Sequence, residues 1–453
     1  MKAKFSVKII LSLLLQVFFF CNHATAQLPM SEPDRYDTLF FSKNTKAENR
    51  QRLYKSLVSG INRNLSLPLT DSTEENWMDA FYSIELLRYK SPWVEGKVYE
   101  AFKKVETRSV YFQKALLELA YANYESTFIV EARKLLPLIP VQKLNAFGQY
   151  LNSIHYSLKE EFVIDFDKLF AITAEYLVRA NPLLRKEVED QFKKMGDIGE
   201  RAVLSWLSYR FEPQKKLPGL DDLLHHPFFS KSKVVFSFQR KNRNYPGITV
   251  VRDSAGNFVK DGYRNIISVP QLARSINNLP GYLSNGNTPQ GIFRMKGFDV
   301  SKSIFIGPTP NIQLTMPFET SLKHFFNDSA IIDSVWTEDW YKKLLPESWK
   351  NYTPFLETYY AGKAGRTEII AHGTTVDPNY YKGTTYYPFT PTLGCLCTKE
   401  IWDEENGRRK FSDQQKLVEA IKEAGGADGY YIVIELDGQQ KPVTIDELLP
   451  YLK

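Results

Sequence analysis

The sequence predicts an α+β protein of two domains, an all-helical one followed by a mainly β one, behind an export leader. Three observations predict it: helical apolar spacing across 46–210, strand-like runs from 233 onward, and a basic and then apolar start that ends in small residues. At 453 residues the chain exceeds what one core usually serves, and 43% apolar residues suffice for two cores.

Residues 1–26 read as a secretory signal peptide. Lys2, Lys4 and Lys8 precede an apolar stretch from Ile9 to Leu15, extended by Val17 to Phe20, and Ala24-Thr25-Ala26 suits cleavage before Gln27. The stretch is shorter than the ~20 residues of a spanning helix, and no later segment reaches that length without charges. The expectation is an exported protein of the periplasm or cell envelope, with no stable membrane span after signal cleavage. The formal charge of +6 includes the three leader lysines, which leaves +3, and no basic cluster is interleaved with aromatics, so nucleic acid is not an expected partner.

Residues 27–45 form an N-terminal extension, and 46–210 the helical domain. Trp77, Ala80, Phe81, Ile84 and Leu87, and then Phe112, Ala115, Leu116, Leu119 and Ala120, recur three and four apart, as an amphipathic helix requires. Ser91-Pro92 and Asn181-Pro182 mark helix starts, and Pro137 and Pro140 interrupt a helix end. About six to eight helices are expected, arranged as an irregular bundle or a solenoid of stacked pairs.

Pro213, Lys215, Lys216, Pro218 and Gly219 mark 211–232 as a linker, and 233–453 as the second domain. Val234 to Phe238, a hairpin of Gly247 to Arg252 with Asn257 to Lys260, Ile304 to Ile306, Ile312 to Met316 and Tyr430 to Leu436 read as strands. Gln414 to Ala424 reads as a helix stopped by Gly425-Gly426. Residues 321–360, with Trp336, Trp340 and Trp349, look like a helical insertion, either a lid or a packed excursion.

The chemistry concentrates between Ile369 and Thr398. Of three cysteines, Cys21 leaves with the leader, so Cys395 and Cys397 remain, too close in sequence for an unstrained disulfide. A β-like run ends at His372-Gly373, and a turn presents Gly394-Cys395. An imidazole draws the thiol proton, while a glycine lets the backbone turn tightly and present amides to an oxyanion. Cys397, two positions on, either resolves an oxidised Cys395 or packs beside the site. Tyr380, Tyr381, Tyr386, Tyr387 and Phe389 fill the spacer, as a pocket lining or as plain loop residues. His155, His225, His226, His324 and His372 form no metal-binding motif, and there is no phosphate-binding glycine loop, so no metal and no cofactor are expected.

His372-Gly373 and Thr392-Leu393-Gly394-Cys395-Leu396, with Thr288-Pro289-Gln290-Gly291-Ile292-Phe293 upstream and Met316-Pro317-Phe318 between, resemble the signature of the L,D-transpeptidase (YkuD-type) catalytic domain over roughly 233–436. The resemblance implies a β-sandwich domain in which Cys395 is acylated, His372 is general base and acid, Gly394 and Gly373 give oxyanion or backbone support, and Thr392, Thr374 and Tyr387 touch substrate. It implies transfer of peptidoglycan stem peptides, with L,D-carboxypeptidase activity when water accepts. Two positions depart from the signature. The family's His before Gly-Cys is Leu393, and its Arg or Asn two residues after the nucleophile is Cys397. These departures motivate a second expectation, a catalytically weakened envelope protein that binds stem peptides. A partner for the helical domain is not identified by any motif.

Overall fold

The computed structural model describes residues 40–150, 157–196, 199, 201–213 and 215–453, with backbone alone at 146–150 and 157–163. The expected signal peptide at 1–26 and most of the extension at 27–45 lie outside the described residues. Nine α-helices are described in the helical half: α1 Ala47–Ser66, α2 Glu74–Leu87, α3 Pro92–Lys103, α4 Val110–Asn123, α5 Ile129–Leu135, α6 Leu138–Tyr150, α7 Ser157–Ala180, α8 Arg185–Phe192 and α9 Ala202–Arg210. Ser91 caps α3 by accepting the Val94 N–H at 3.2 Å with Pro92 in the first turn, and Ser109 caps α4 in the same way. α2 ends where Arg88 turns left-handed at φ 49°.

α7 packs against α4, α5, α6, α8 and α9. A central helix touched by five others makes a bundle, because solenoid units contact only their neighbours. Trp77, Phe81, Phe112, Leu116 and Leu169, all essentially inaccessible, form its core. The segment 211–232, expected as a linker, carries the short helix α10 Leu220–Leu224. Its Leu223 and Leu224 are buried with Phe229, and Arg252 donates to the carbonyls of Leu224 and Phe229.

Ten strands follow: β1 Val234–Gln239, β2 Gly247–Arg252, β3 Ser268–Leu272, β4 Gly291–Asp299, β5 Asn311–Thr315, β6 Ile370–His372, β7 Leu396–Thr398, β8 Glu400–Trp402, β9 Arg409–Ser412 and β10 Tyr430–Glu435. Eight close in the order β1-β10-β4-β5-β6-β7-β3-β2, while β8 and β9 form a separate ribbon. The expected sandwich is therefore a closed barrel. Its seam is β3 on β7, where Gln271 pairs with Thr398 and Leu272 with Cys397, a long-range pairing that local alternation does not encode. Two further expectations change. Ile304–Ile306 is a turn, and the second arm of the expected hairpin touches β2 only through an Arg252–Phe258 bridge, because β2 pairs chiefly with β1 and β3.

Side chains alternate across the barrel wall. Val235, Phe293, Leu314, Ala371, Leu396 and Val433 pack inside it with Leu417, Val418 and Ile421 of α15 Asp413–Glu423, whose N-cap is Ser412. Val234, Phe236, Phe238, Tyr430, Ile432 and Ile434 face outward into an apolar core that runs without a break into the helical half. β1 is buried on both faces, and so reads as a near-continuous apolar run.

The insertion at 321–360 holds α11 Leu322–Phe326, α12 Glu338–Lys342, α13 Glu347–Lys350 and the start of α14 Glu357–Lys363. Trp336 and Trp349 are buried in the shared core, and the Trp349 indole donates to Gly219 O at 2.9 Å. These two tryptophans make the insertion a packed element. Among the described residues no helix is long and apolar enough to cross a membrane.

Candidate active site at the parallel strand pair

β6 and β7 run parallel, with Ala371 beside Leu396 and His372 beside Cys397. Ala371 and Leu396 point into the barrel, so His372, Cys395 and Cys397 share the opposite face. Cys395 precedes β7 by one residue and lies level with Ile370, which makes His372 its diagonal rather than its direct neighbour. No hydrogen bond joins the two among the described residues. The half-buried Cys395 thiol points at Glu368 O, 3.7 Å away.

Gly394 makes the turn possible. Its φ is +114°, and a β-carbon there would stand 2.0 Å from Arg366 Nη2 and 2.6 Å from Gly286 O. Thr392 ties the turn together: its hydroxyl donates to Cys395 O at 2.8 Å and accepts the Gly394 N–H at 3.0 Å. The Gly394 amide expected to face an oxyanion is thus engaged within the turn. Thr288, first residue of the upstream motif, donates from Oγ1 to Gly394 O at 2.8 Å, so two segments 106 residues apart meet at the cysteine turn.

His372 is buried, and its Nδ1 lies 2.6 Å from Gly373 O. A carbonyl only accepts, so Nδ1 carries the proton and Nε2 keeps a free lone pair, the tautomer a general base needs. Burial pushes the imidazole down to about 4, against the pull of that hydrogen bond. Burial pushes the Cys395 thiol up to about 11, opposed by a backbone hydrogen bond at Ile370 and the Arg366 charge. Both groups are therefore neutral near pH 7.

Gly373 has no room for a side chain, because a β-carbon would meet the Glu400 carboxylate at 2.3–2.7 Å. Glu400 is buried, accepts from Thr309 and Ser412, and lies 3.6 Å from the Arg409 guanidinium. Burial nonetheless raises its carboxyl to about 7. Arg366 is a second buried charge: it donates to Leu283, Gly286 and Asn287 carbonyls at 3.1, 2.7 and 2.9 Å, and to Gly281 O. Sequence reasoning missed both. The only local signal was the pair of glycines, Gly373 and Gly394, against which they pack.

The remaining expected substrate contacts divide. The buried Thr374 hydroxyl accepts from Thr390 at 2.9 Å and from the Val376 N–H at 3.1 Å, whereas Tyr387 is 43% exposed. Tyr381, Tyr386 and Phe389 pack with Leu272, and the Tyr381 hydroxyl reaches Leu86 O of α2 at 2.9 Å, so these spacer aromatics anchor the loop to the helical half. Cys397 is fully buried between Thr390 and Thr398 O. Burial raises its thiol to about 12, which fits the packing role. Leu393 faces α2 and α4 across a cleft of about 50 Å³ that also contains Phe81, Glu85 and Glu118. Among the described residues no group of side chains is arranged to hold a metal ion.

Compared with known protein families, curated proteins and solved structures, the chain matches none.

Proposed function

We propose that the barrel half is an exported L,D-transpeptidase-like cysteine acyltransferase that remodels peptidoglycan stem peptides through Cys395 and His372. The observation that carries this reading is the Thr288–Gly394 hydrogen bond, which joins the upstream motif to the tight Gly394-Cys395 turn one strand away from a base-competent His372. Burial lowers the imidazole and raises the thiol, so both rest neutral and the thiol holds its proton before attack. Proton transfer thus accompanies attack. His372 Nε2 takes the thiol proton as Cys395 Sγ bonds to the carbonyl carbon at the L-centre of the diamino residue. The same proton passes to the nitrogen of the terminal D-residue as the peptide C–N bond breaks, leaving a thioester. An acceptor amine then attacks the thioester and restores the thiol; with water, the product is a carboxylate.

The diagonal placement of His372, level with Cys397, favours a second reading, an envelope protein that binds stem peptides without efficient turnover. Incubation with stem tetrapeptide separates the two. The first reading expects release of the terminal D-residue, abolished in Cys395→Ala and reduced by at least about a hundredfold in His372→Ala. Saturable peptide binding with no released residue supports the second.

A further inference from the structure

Burying a charge without a counter-charge is expensive, and a residue needed only to fill the space beneath the cysteine turn would cost less as an apolar one. Arg366 nevertheless occupies that space. It is 5% exposed, and its guanidinium packs so closely on Gly394 that a β-carbon there would collide with Nη2. Every acceptor it uses is a neutral carbonyl: Gly281, Leu283 and Asn287 from Nη1, and Gly286 from Nη2. Burial lowers its pKa only to about 10, so it stays charged at neutral pH.

Among the described residues no carboxylate is bonded to this cation. Glu357 and Glu319, the acids that act on it from a distance, are engaged elsewhere, Glu357 with the Gln290 N–H and Glu319 with the Met316 and Glu368 N–H groups. Burial also raises both carboxyls, which thins the charge they could return. The carbonyl cage therefore holds a positive charge without cancelling it, against the residue that precedes Cys395. Its field falls unevenly on the two reacting groups. Arg366 pulls the Cys395 thiol down against burial, whereas His372 responds to burial and to its bond with Gly373 O.

We propose that Arg366 is a positioning residue that acts through charge, a caged cation that stabilises the negative charge passing from Cys395 Sγ to the substrate carbonyl oxygen as the thiol proton moves to His372. A fixed cation that costs no reorganisation during the reaction is the form of stabilisation a developing oxyanion needs, and the Gly394 amide is already engaged by Thr392. The proposal rests on the reading of Cys395 as the nucleophile, but its test uses no peptide substrate.

Alkylation of Cys395 in natively folded residues 27–453 by iodoacetate, which is anionic, and by iodoacetamide, which is neutral, tests it, with mass spectrometry reading each rate. A synthetic peptide of residues 389–396, whose one thiol is Cys395, supplies the reference ratio of the two rates. The ratio in the folded chain is expected to exceed the peptide's by about tenfold or more, in favour of the anion. It is expected to persist at about 0.5 M salt, because a buried charge is screened far less than a surface one. Arg366→Lys, which keeps the charge, is expected to hold the ratio above the peptide's, and Arg366→Met to bring it down to the peptide's. A residue that merely staples the turn would change both rates together and leave their ratio alone. Should Arg366→Met not fold, the ratio in the native chain and its persistence in salt decide. A native ratio equal to the peptide's, its loss in salt, an unchanged ratio in Arg366→Met, or the peptide's ratio in a folded Arg366→Lys would overturn the proposal. If neither reagent reaches Cys395, the proposal and the acyl-transfer reading fall together, whereas a raised ratio with no residue released from stem tetrapeptide sinks that reading alone.

Discussion

At Gly394 a left-handed backbone coincides with a wall made of Arg366 and Gly286, whereas at Gly383 φ is +86° and a β-carbon would meet nothing within 4 Å. The pair separates conformational strain from crowding. Gly383→Ala is expected to cost about 1–2 kcal/mol and Gly394→Ala about 1–3 kcal/mol more, both read from urea melts. Glu400 supplies a pH test. Its carboxyl is raised to about 7 in the folded chain from an ordinary 4.5, so the folded state holds the extra proton and this contribution is present below about 4.5 and lost as pH rises through about 7. Glu400→Gln should therefore gain on the native protein by roughly 2–3 kcal/mol between pH 5 and 8 in thermal melts; a difference that stays flat would show that the carboxyl is not perturbed. His372 titrates with the opposite sign, its contribution being lost as pH falls through about 4. Cys395, His372, Gly394 and Gly373 were legible at this scale because each sits at an abrupt change of local pattern. Glu400, Arg366 and Arg409 were not, since a charged residue bound for the interior looks in sequence like one bound for the surface.

Helix and strand signals survived where chemistry acts locally. The Ser91-Pro92 start of α3, the Gly425-Gly426 stop after α15 and the apolar run of β1 and β10 were all readable. Ile304–Ile306 misled because three apolar-rich residues lack the flanking partners that make a strand, and in the fold their carbonyls serve a turn, Ile304 O accepting from the Thr375 hydroxyl. The β6–β7 register was invisible, yet it sets Cys397 beside His372 and leaves Cys395 one residue outside β7. With Cys397 at 0% exposure and Cys395 half-buried, one thiol of natively folded residues 27–453 should react slowly with a disulfide reagent, and the second only after unfolding. Two fast thiols would contradict the packing. Tyr381→Phe should cost about 1–2 kcal/mol, because it strands the buried Leu86 carbonyl that ties the spacer loop to α2.

At the scale of the whole molecule, the composition predicted two halves but not their fusion. One apolar core extends from Ile61 in α1 to Leu452, and Tyr282 of the barrel half bonds Glu175 of α7 at 3.1 Å. Barrel closure and this shared core both arise from contacts far apart in sequence, which periodicity cannot report. The expected consequence is one cooperative heat-capacity peak for residues 27–453, and poor solubility for residues 233–453 expressed alone, whose outer barrel face would be bare. Two separated peaks would show that the halves fold independently. The central claim remains chemical, and intact-mass spectrometry of residues 27–453 after exposure to a carbapenem tests it most directly, because the proposed enzyme class is acylated by such drugs. The account predicts a single covalent adduct on the native protein and none on Cys395→Ala. An adduct that persists in Cys395→Ala, or no adduct on the native protein, would contradict it.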